Sequence, residues 1–278
     1  MKISRFIIIS RPALWPWIFL PYLVGIGNVG NFTAFSLTEF LFFLFPLNFF
    51  LYGINDIYDK KSDEINPRKG GLQGAILKED EIAPVKLISF AIAATFLILA
   101  GFSGNWKHVF FVLVFLLASF SYSHSSIRFK EIPFLDSIIG GPVIYLSPIL
   151  IAFSLNGSIS DLSPQLFLLT LPLIGFHAGS TLKDAEYDAG ARMQSTGIFL
   201  GRKNTLIFAL LLIALPLIFF ILAGDPFLTA ILGVTAAWTS FLAFSKLKYD
   251  NELLTALIAT FVFCWVTTLL YYFLRANW

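Results

Sequence analysis

Apolar runs of about 20 residues, the length a helix needs to cross a bilayer, recur along this chain and decide its class before any motif is read. Nine such runs lie between the polar interruptions: 13 to 31, 35 to 54, 83 to 103, 107 to 123, 134 to 155, 164 to 182, 204 to 224, 226 to 245 and 252 to 274. No polar block between them is long enough to fold by itself, so residues 1–278 read as a single membrane domain. Only 13% of residues are charged, where a soluble domain carries roughly a quarter. Lipid offers backbone groups no hydrogen bonds, so each run must satisfy its own as a helix. The expected fold is all-α, a polytopic bundle of nine transmembrane helices. Pro16, Pro21, Pro46, Pro148, Pro172 and Pro216 fall inside the runs and predict kinks there, not boundaries.

An odd number of spans puts the termini on opposite sides, and the charges then choose between the two orientations. With the N-terminus inside, the inner face takes every Lys and Arg except Lys107 and Arg275. That asymmetry predicts a multi-pass protein of the cell membrane with its N-terminus in the cytoplasm. The first run, from Ala13, has no small-residue cleavage site after a short core and reads as a transmembrane helix, not a signal peptide. A net charge of +2 is no nucleic-acid signature; the partner that the composition implies is the lipid bilayer. Cys264 is alone inside an apolar run, which excludes an intrachain disulfide and predicts an inert buried thiol. The outer connections are short, whereas the inner ones at 55–82 and 183–203 are long and rich in Asp, Lys, Arg and Gly. Long polar loops on one face are where function is expected, here at the cytoplasmic face.

The first inner loop begins Asn55-Asp56-Ile57-Tyr58-Asp59-Lys60-Lys61-Ser62-Asp63 and continues Asn66-Pro67-Arg68-Lys69-Gly70-Gly71. If the second helix continues past the membrane surface, Asp56, Asp59 and Asp63 share one of its faces. Stacked carboxylates need a counter-cation, and hard oxygen ligands suit Mg²⁺, which binds through one or two carboxylates plus substrate phosphate oxygens. Taken alone, such a charge run is more often a solvated loop that helps set topology. A second cluster, Lys183-Asp184-Ala185-Glu186-Tyr187-Asp188-Ala189-Gly190, weakens that plainer reading. Asp184 and Asp188 are four apart, and the orientation places them on the same side of the membrane as the first set. Two carboxylate clusters at one surface are what a diphosphate bridged by metal ions requires.

These two motifs, Asn55-Asp56-x-x-Asp59-x-x-x-Asp63 with Arg68 and Asp184-x-x-x-Asp188-x-Gly190, resemble the paired signatures of the UbiA superfamily of membrane prenyltransferases. Arg11-Pro12, the segment from Tyr122-Ser123 to Arg128-x-Lys130, and the segment from Ser195-Thr196 to Gly201 extend the resemblance over nearly the whole chain. It implies a Mg²⁺-assisted transfer of a prenyl group from an allylic prenyl diphosphate to a lipophilic acceptor. Asp56, Asp59, Asp63, Asp184 and Asp188 are then the catalytic metal ligands, and Asn55, Arg68, Lys69, Lys130 and Lys183 the diphosphate-binding residues. Arg68 would clamp phosphate oxygens bidentately, and the lysines would act as point charges. Asn66-Pro67-Arg68-Lys69-Gly70-Gly71 with Gly74-Ala75 is similar to the carotenoid branch, the lycopene elongases. Many quinone-pathway members instead read Arg-Pro where this chain has Arg68-Lys69, which argues against an aromatic-acid acceptor. A quinone- or lipid-pathway prenyltransferase is the alternative within the superfamily.

Tyr58, Tyr122 and Tyr145 are candidates for stabilising the allylic cation or lining the acceptor pocket. In a chain with 32 Phe and 9 Tyr, any one ring is more often membrane core or interface belt. His108, His124 and His177 have no metal-ligand spacing and read as structural. Asp136, near the start of the fifth run, reads as a functional intramembrane acid or a helix cap. Gly140-Gly141-Pro142 predicts close helix packing or a bend. A small transporter shares the Pro-interrupted spans but places its polar site near the midplane, unlike the surface clusters here.

Overall fold

A computed structural model describes residues 2–30, 32–66, 69–71, 74–157, 162–190, 193–244 and 251–275. Their helices in chain order are α1 (Ile3–Ser10), α2 (Pro16–Asn28), α3 (Ala34–Leu44), α4 (Pro46–Tyr58), α5 (Lys60–Ile65), α6 (Glu79–Gly101), α7 (Trp106–Ser123) and α8 (Leu135–Ile138). There follow α9 (Ile144–Phe153), α10 (Pro164–Leu168), α11 (Thr170–Thr181), α12 (Ala185–Gly190), α13 (Thr196–Leu222), α14 (Pro226–Phe244) and α15 (Asn251–Arg275). A single isolated bridge, Gly71 to Gly74, is the only extended pairing among the described residues.

Among the described residues, seven of the expected spans are helices long and apolar enough to cross a membrane, from Ala34–Tyr58 to Glu252–Leu274. Two differ from expectation. The first run is the second half of a bent pair, Ile3–Leu14 and Pro16–Asn28, turned by 65°. The bend follows from Arg11, held at φ 52°, and from Pro12, which cannot continue a helix hydrogen bond. The run at 164 to 182 is helical in two pieces, α10 and α11, joined through Leu169, and neither alone is long enough to span. Lipid exposure is evident on α6, where only 17% of the apolar window is buried and Leu87 and Ile98 face outward.

The chain divides into two compact units, residues 1–129, 143–161 and 272–278 in the first and 130–142 with 162–271 in the second. In the first unit α4 packs against α1, α3, α6 and α7, and α2 packs against α3 and α9. The approach of α2 to α9 requires Gly25, since a Cβ there would lie 2.7 Å from the Ile149 carbonyl oxygen. Stacked Tyr22 and Phe43, with ring centroids 4.6 Å apart, fill the space between α2 and α3. A buried polar network crosses this core: His108 Nε2 lies 2.8 Å from Glu39 Oε1, its Nδ1 lies 3.0 Å from the Ile151 carbonyl, and Tyr22 donates to Glu39 Oε2 at 2.9 Å. His108 thus ties α7 to α3 and α9, the structural role its isolation in the sequence predicts.

In the second unit α11 packs against α8 and α13, and α13 against α14. Gly175 lets α11 approach α13, since its Cβ would meet Ala209 at 3.0 Å. A π-helical turn at Ile139–Val143 carries Gly140, Gly141 and Pro142, and a Cβ on Gly141 would lie 2.8 Å from the Leu173 carbonyl oxygen. This is the bend with close packing that the three residues predict. Cys264 is buried and in no disulfide.

Candidate active site

The first acidic cluster sits where α4 ends. Its last turn presents Asn55 and Asp56, and the backbone then leaves helical geometry at Asp59 (φ −98°, ψ 0°) before α5 begins. The continuous helix expected through Asp63 is therefore broken. Asp59 stands at the start of a new helix, a position that suits aspartate, and its carbonyl accepts both the Asp63 N–H at 2.9 Å and the Ser62 hydroxyl at 3.0 Å. Asp56, Asp59 and Asp63 consequently lie on two helices and the junction between them.

Each of the three carboxylates is buried and faces a cation within the same unit. Asp56 is fully buried; its Oδ1 takes a short charge-assisted hydrogen bond from Arg11, and its Oδ2 accepts the Ala75 N–H at 3.1 Å. Arg11 also donates to Asn55 Oδ1 at 3.1 Å and lies 4.9 Å over the Tyr52 ring. Arg128 lies 3.5 Å from Asp59, and Lys69 lies 3.0 Å from Asp63. Burial pushes the Asp63 carboxyl up from its ordinary value, and the Lys69 ammonium pulls against that shift. The loop that returns over the cluster turns back at Gly70 to Gly74, where the Gly70 N–H donates to the Gly74 carbonyl at 2.9 Å.

Three partners escape sequence reasoning as site residues. Arg11 lies 45 positions from Asp56, and only the Arg11-Pro12 pair hinted at it. Arg128 belongs to a noted segment, but nothing local assigns it to Asp59. The Ala75 N–H has no side-chain signal at all. Of the predicted residues, Asn55, Asp56, Asp59, Asp63 and Lys69 come together, whereas Arg68 lies outside the described residues. Tyr58 packs its ring edge on His124 at 4.9 Å, Tyr122 is half-buried on α7, and Tyr145 packs on Trp17 at 5.2 Å.

The second acidic cluster lies in the second unit. The Asp188 N–H donates to the Asp184 carbonyl at 2.8 Å, one helical turn, so the two half-buried carboxylates share a face as their spacing predicts. Lys183, Glu186, Tyr187 and Arg202 line a cavity of about 390 Å³ beside this turn. Lys130 is buried in the 3₁₀ turn Phe129–Glu131.

These donor sets suit a hard divalent ion. Asp63 Oδ2 is buried without a hydrogen-bond partner, an expensive state for a carboxylate oxygen that a cation would relieve. Among the described residues no three His, Cys, Asp or Glu side chains are grouped so as to hold an ion by themselves. Mg²⁺ does not require that, since water and phosphate oxygens complete its octahedron.

A lycopene elongase/hydratase of Haloarcula japonica is 32% identical over 203 residues, 71% of this chain and 67% of that protein. A lycopene elongase/hydratase of Corynebacterium glutamicum is 29% identical, covering 74% of this chain and 72% of its own. A UbiA homolog from Archaeoglobus fulgidus, solved bound to GPP and Mg²⁺, superposes with a TM-score of 0.73 over 98% of this chain and 99% of its own. At 22% identity that last likeness is one of fold. Residues 13–266, a range that includes both acidic clusters, match the UbiA prenyltransferase family, and the chain belongs to that family.

Proposed function

We propose that this protein transfers a prenyl group from an allylic prenyl diphosphate to a lipophilic acceptor of the carotenoid type, with Mg²⁺ as cofactor. The observation that carries this is the row of buried carboxylates at the end of α4, each held beside a basic side chain, in a member of the UbiA family. The lycopene elongase/hydratase relatives support the carotenoid acceptor. Asp56, Asp59, Asp63, Asp184 and Asp188 would hold the metal. When bound, Mg²⁺ neutralises the charge that develops on the leaving diphosphate.

The chain's own residues supply the remainder. Arg68, Lys69, Lys130, Lys183 and Asn55 bind diphosphate oxygens, and Arg11 joins them through its contacts with Asn55 and Asp56. The allylic C–O bond breaks and its electron pair leaves with pyrophosphate. An electron-rich acceptor carbon then forms the new C–C bond, and the product cation loses a proton. Apolar helices keep water from the cation, with Tyr58, Tyr122 and Tyr145 offering ring faces. The distribution of Lys and Arg supports a cell-membrane location with the N-terminus inside. The family match runs through both compact units, which supports their acting as a single domain.

Membranes carrying the protein, incubated with Mg²⁺, labelled dimethylallyl diphosphate and either lycopene or an aromatic quinone precursor, should label the carotenoid. Label in the aromatic acceptor alone would overturn the acceptor assignment. A wild-type rate in Asp56→Ala or Asp188→Ala would overturn the site.

A further inference from the structure

The second acidic motif is held in place by a carboxylate that carries none of the chemistry assigned above. Asp136, in α8, is fully buried. It is not the N-cap of α8, which is Phe134. Its Oδ2 accepts the Thr196 N–H at 2.7 Å, the first N–H of α13. Its Oδ1 accepts the Ser137 N–H at 2.6 Å, the Ser137 hydroxyl at 3.0 Å and a short bond from the Thr196 hydroxyl. Four donors thus converge on two oxygens, a demand that two acceptor oxygens meet and an amide does not, because an amide must turn an NH₂ toward one of the donors. Thr196 Oγ1 in turn accepts the Phe134 N–H at 2.7 Å. Phe134 takes the left-handed φ of 68°, strain that this knot holds in place.

Thr196 matters because of what precedes it. The segment between α11 and α13 carries Asp184 and Asp188, and both of its ends are fastened. At its base the Gly197 N–H donates to Thr181 Oγ1 at 3.1 Å, so the end of α11 meets the start of α13. On the return limb the Met193 N–H donates to the Asp188 carbonyl at 2.8 Å, three residues before Thr196. Bonds and short chain therefore run from Asp136 through Thr196 and Met193 to the backbone of Asp188. All of these residues belong to one compact unit.

We propose that Asp136 is a positioning residue for the Asp184 and Asp188 carboxylates, setting their placement through Thr196 without itself touching metal or substrate. This rests on the assignment of Asp184 and Asp188 to diphosphate and Mg²⁺ binding. A residue that acts through a ligand's support weakens metal affinity, typically about 10- to 100-fold, when its hydrogen bonds are broken. The effect should fall on the donor side of the reaction and spare the acceptor.

The test uses the full-length protein in detergent or nanodiscs. Binding of dimethylallyl S-thiolodiphosphate is titrated against Mg²⁺, the KM for each substrate is measured, and thermal unfolding is followed separately. In Asp136→Asn the Mg²⁺ half-saturation and the donor KM should rise at least tenfold, by the same ligand-support reasoning, with the acceptor KM unchanged. Thr196→Val, which deletes the hydroxyl but keeps the N–H, should shift them less, and Thr196→Ser should restore wild-type values. If Asp136→Asn does not fold, the Thr196 pair decides. Asp184→Asn serves as the reference. Should it weaken donor binding while Asp136→Asn and Thr196→Val both stay within twofold of wild type, the positioning role is refuted and the metal assignment stands. Should Asp184→Asn bind the donor as wild type does, the underlying assignment fails and takes the proposal with it. Equal loss of donor and acceptor KM in step with lowered thermal stability would mark Asp136 as merely structural.

Discussion

Arg11→Met isolates the charge that sits opposite Asp56. Asp56 is fully buried and the Arg11 side chain is 11% exposed, so neither group is well hydrated once the pair is broken. Removing one partner of a buried ion pair leaves an uncompensated charge and costs about 3–5 kcal/mol. Methionine keeps most of the length and also the Cβ, so the left-handed strain at φ 52° is common to both proteins and cancels. The expected loss is therefore about 3–5 kcal/mol, with the Ala75 N–H still bound to Asp56 and unable to replace a full charge. The assay is reversible unfolding in mixed micelles without divalent metal. Asp56→Asn in the Arg11→Met background should recover part of the loss, giving a coupling of about 1–3 kcal/mol in the double-mutant cycle. Wild-type stability in Arg11→Met, or strict additivity of the two changes, would refute the pairing as an energetic unit.

Glu39→Ala should destabilise the first unit, because the Tyr22 hydroxyl and His108 Nε2 both lose a buried acceptor, at about 1–3 kcal/mol each, whereas Glu39→Gln should lose less; thermal unfolding in detergent separates them. Glu79→Gln removes the ion pair with Lys60, but Glu79 is 85% exposed, so unfolding should change by less than about 1 kcal/mol.

How far the sequence discloses this fold depends on whether a feature is local. Runs that are helical nearly throughout, such as 83 to 103, which α6 follows as far as Gly101, are apolar within themselves and can be read directly. The run at 164 to 182 is also mostly apolar, yet its helix is interrupted at Leu169, a residue with no breaker chemistry of its own. The acidic motifs are legible because three- and four-residue spacing is local, and for Asp184 and Asp188 the predicted turn is the observed one. Their counter-charges are not legible. Arg11 meets Asp56 across 45 residues, Arg128 meets Asp59 across 69, and His108 meets Glu39 across 69. Arg11 follows α1, His108 lies within α7 and Arg128 follows it, and only packing decides which carboxylate each reaches.

Gly74 shows how tightly that packing defines the first cluster. Its φ is +138°, a conformation that L side chains rarely adopt, and a Cβ built there would lie 2.9 Å from Arg11 Nη2 and 3.0 Å from Lys69 Nζ. Those two cations hold Asp56 and Asp63, and the Gly74 carbonyl accepts the Gly70 N–H that closes the loop. Gly74→Ala therefore strains the backbone by about 1–3 kcal/mol and pushes directly on both basic groups. If those groups set the diphosphate site, the donor KM should rise well beyond what a loss of folded protein explains, and the acceptor KM should not. A loss of activity that simply follows the fraction unfolded would mean that the glycine serves the loop alone, and that the arginine and lysine tolerate displacement without consequence for the substrate.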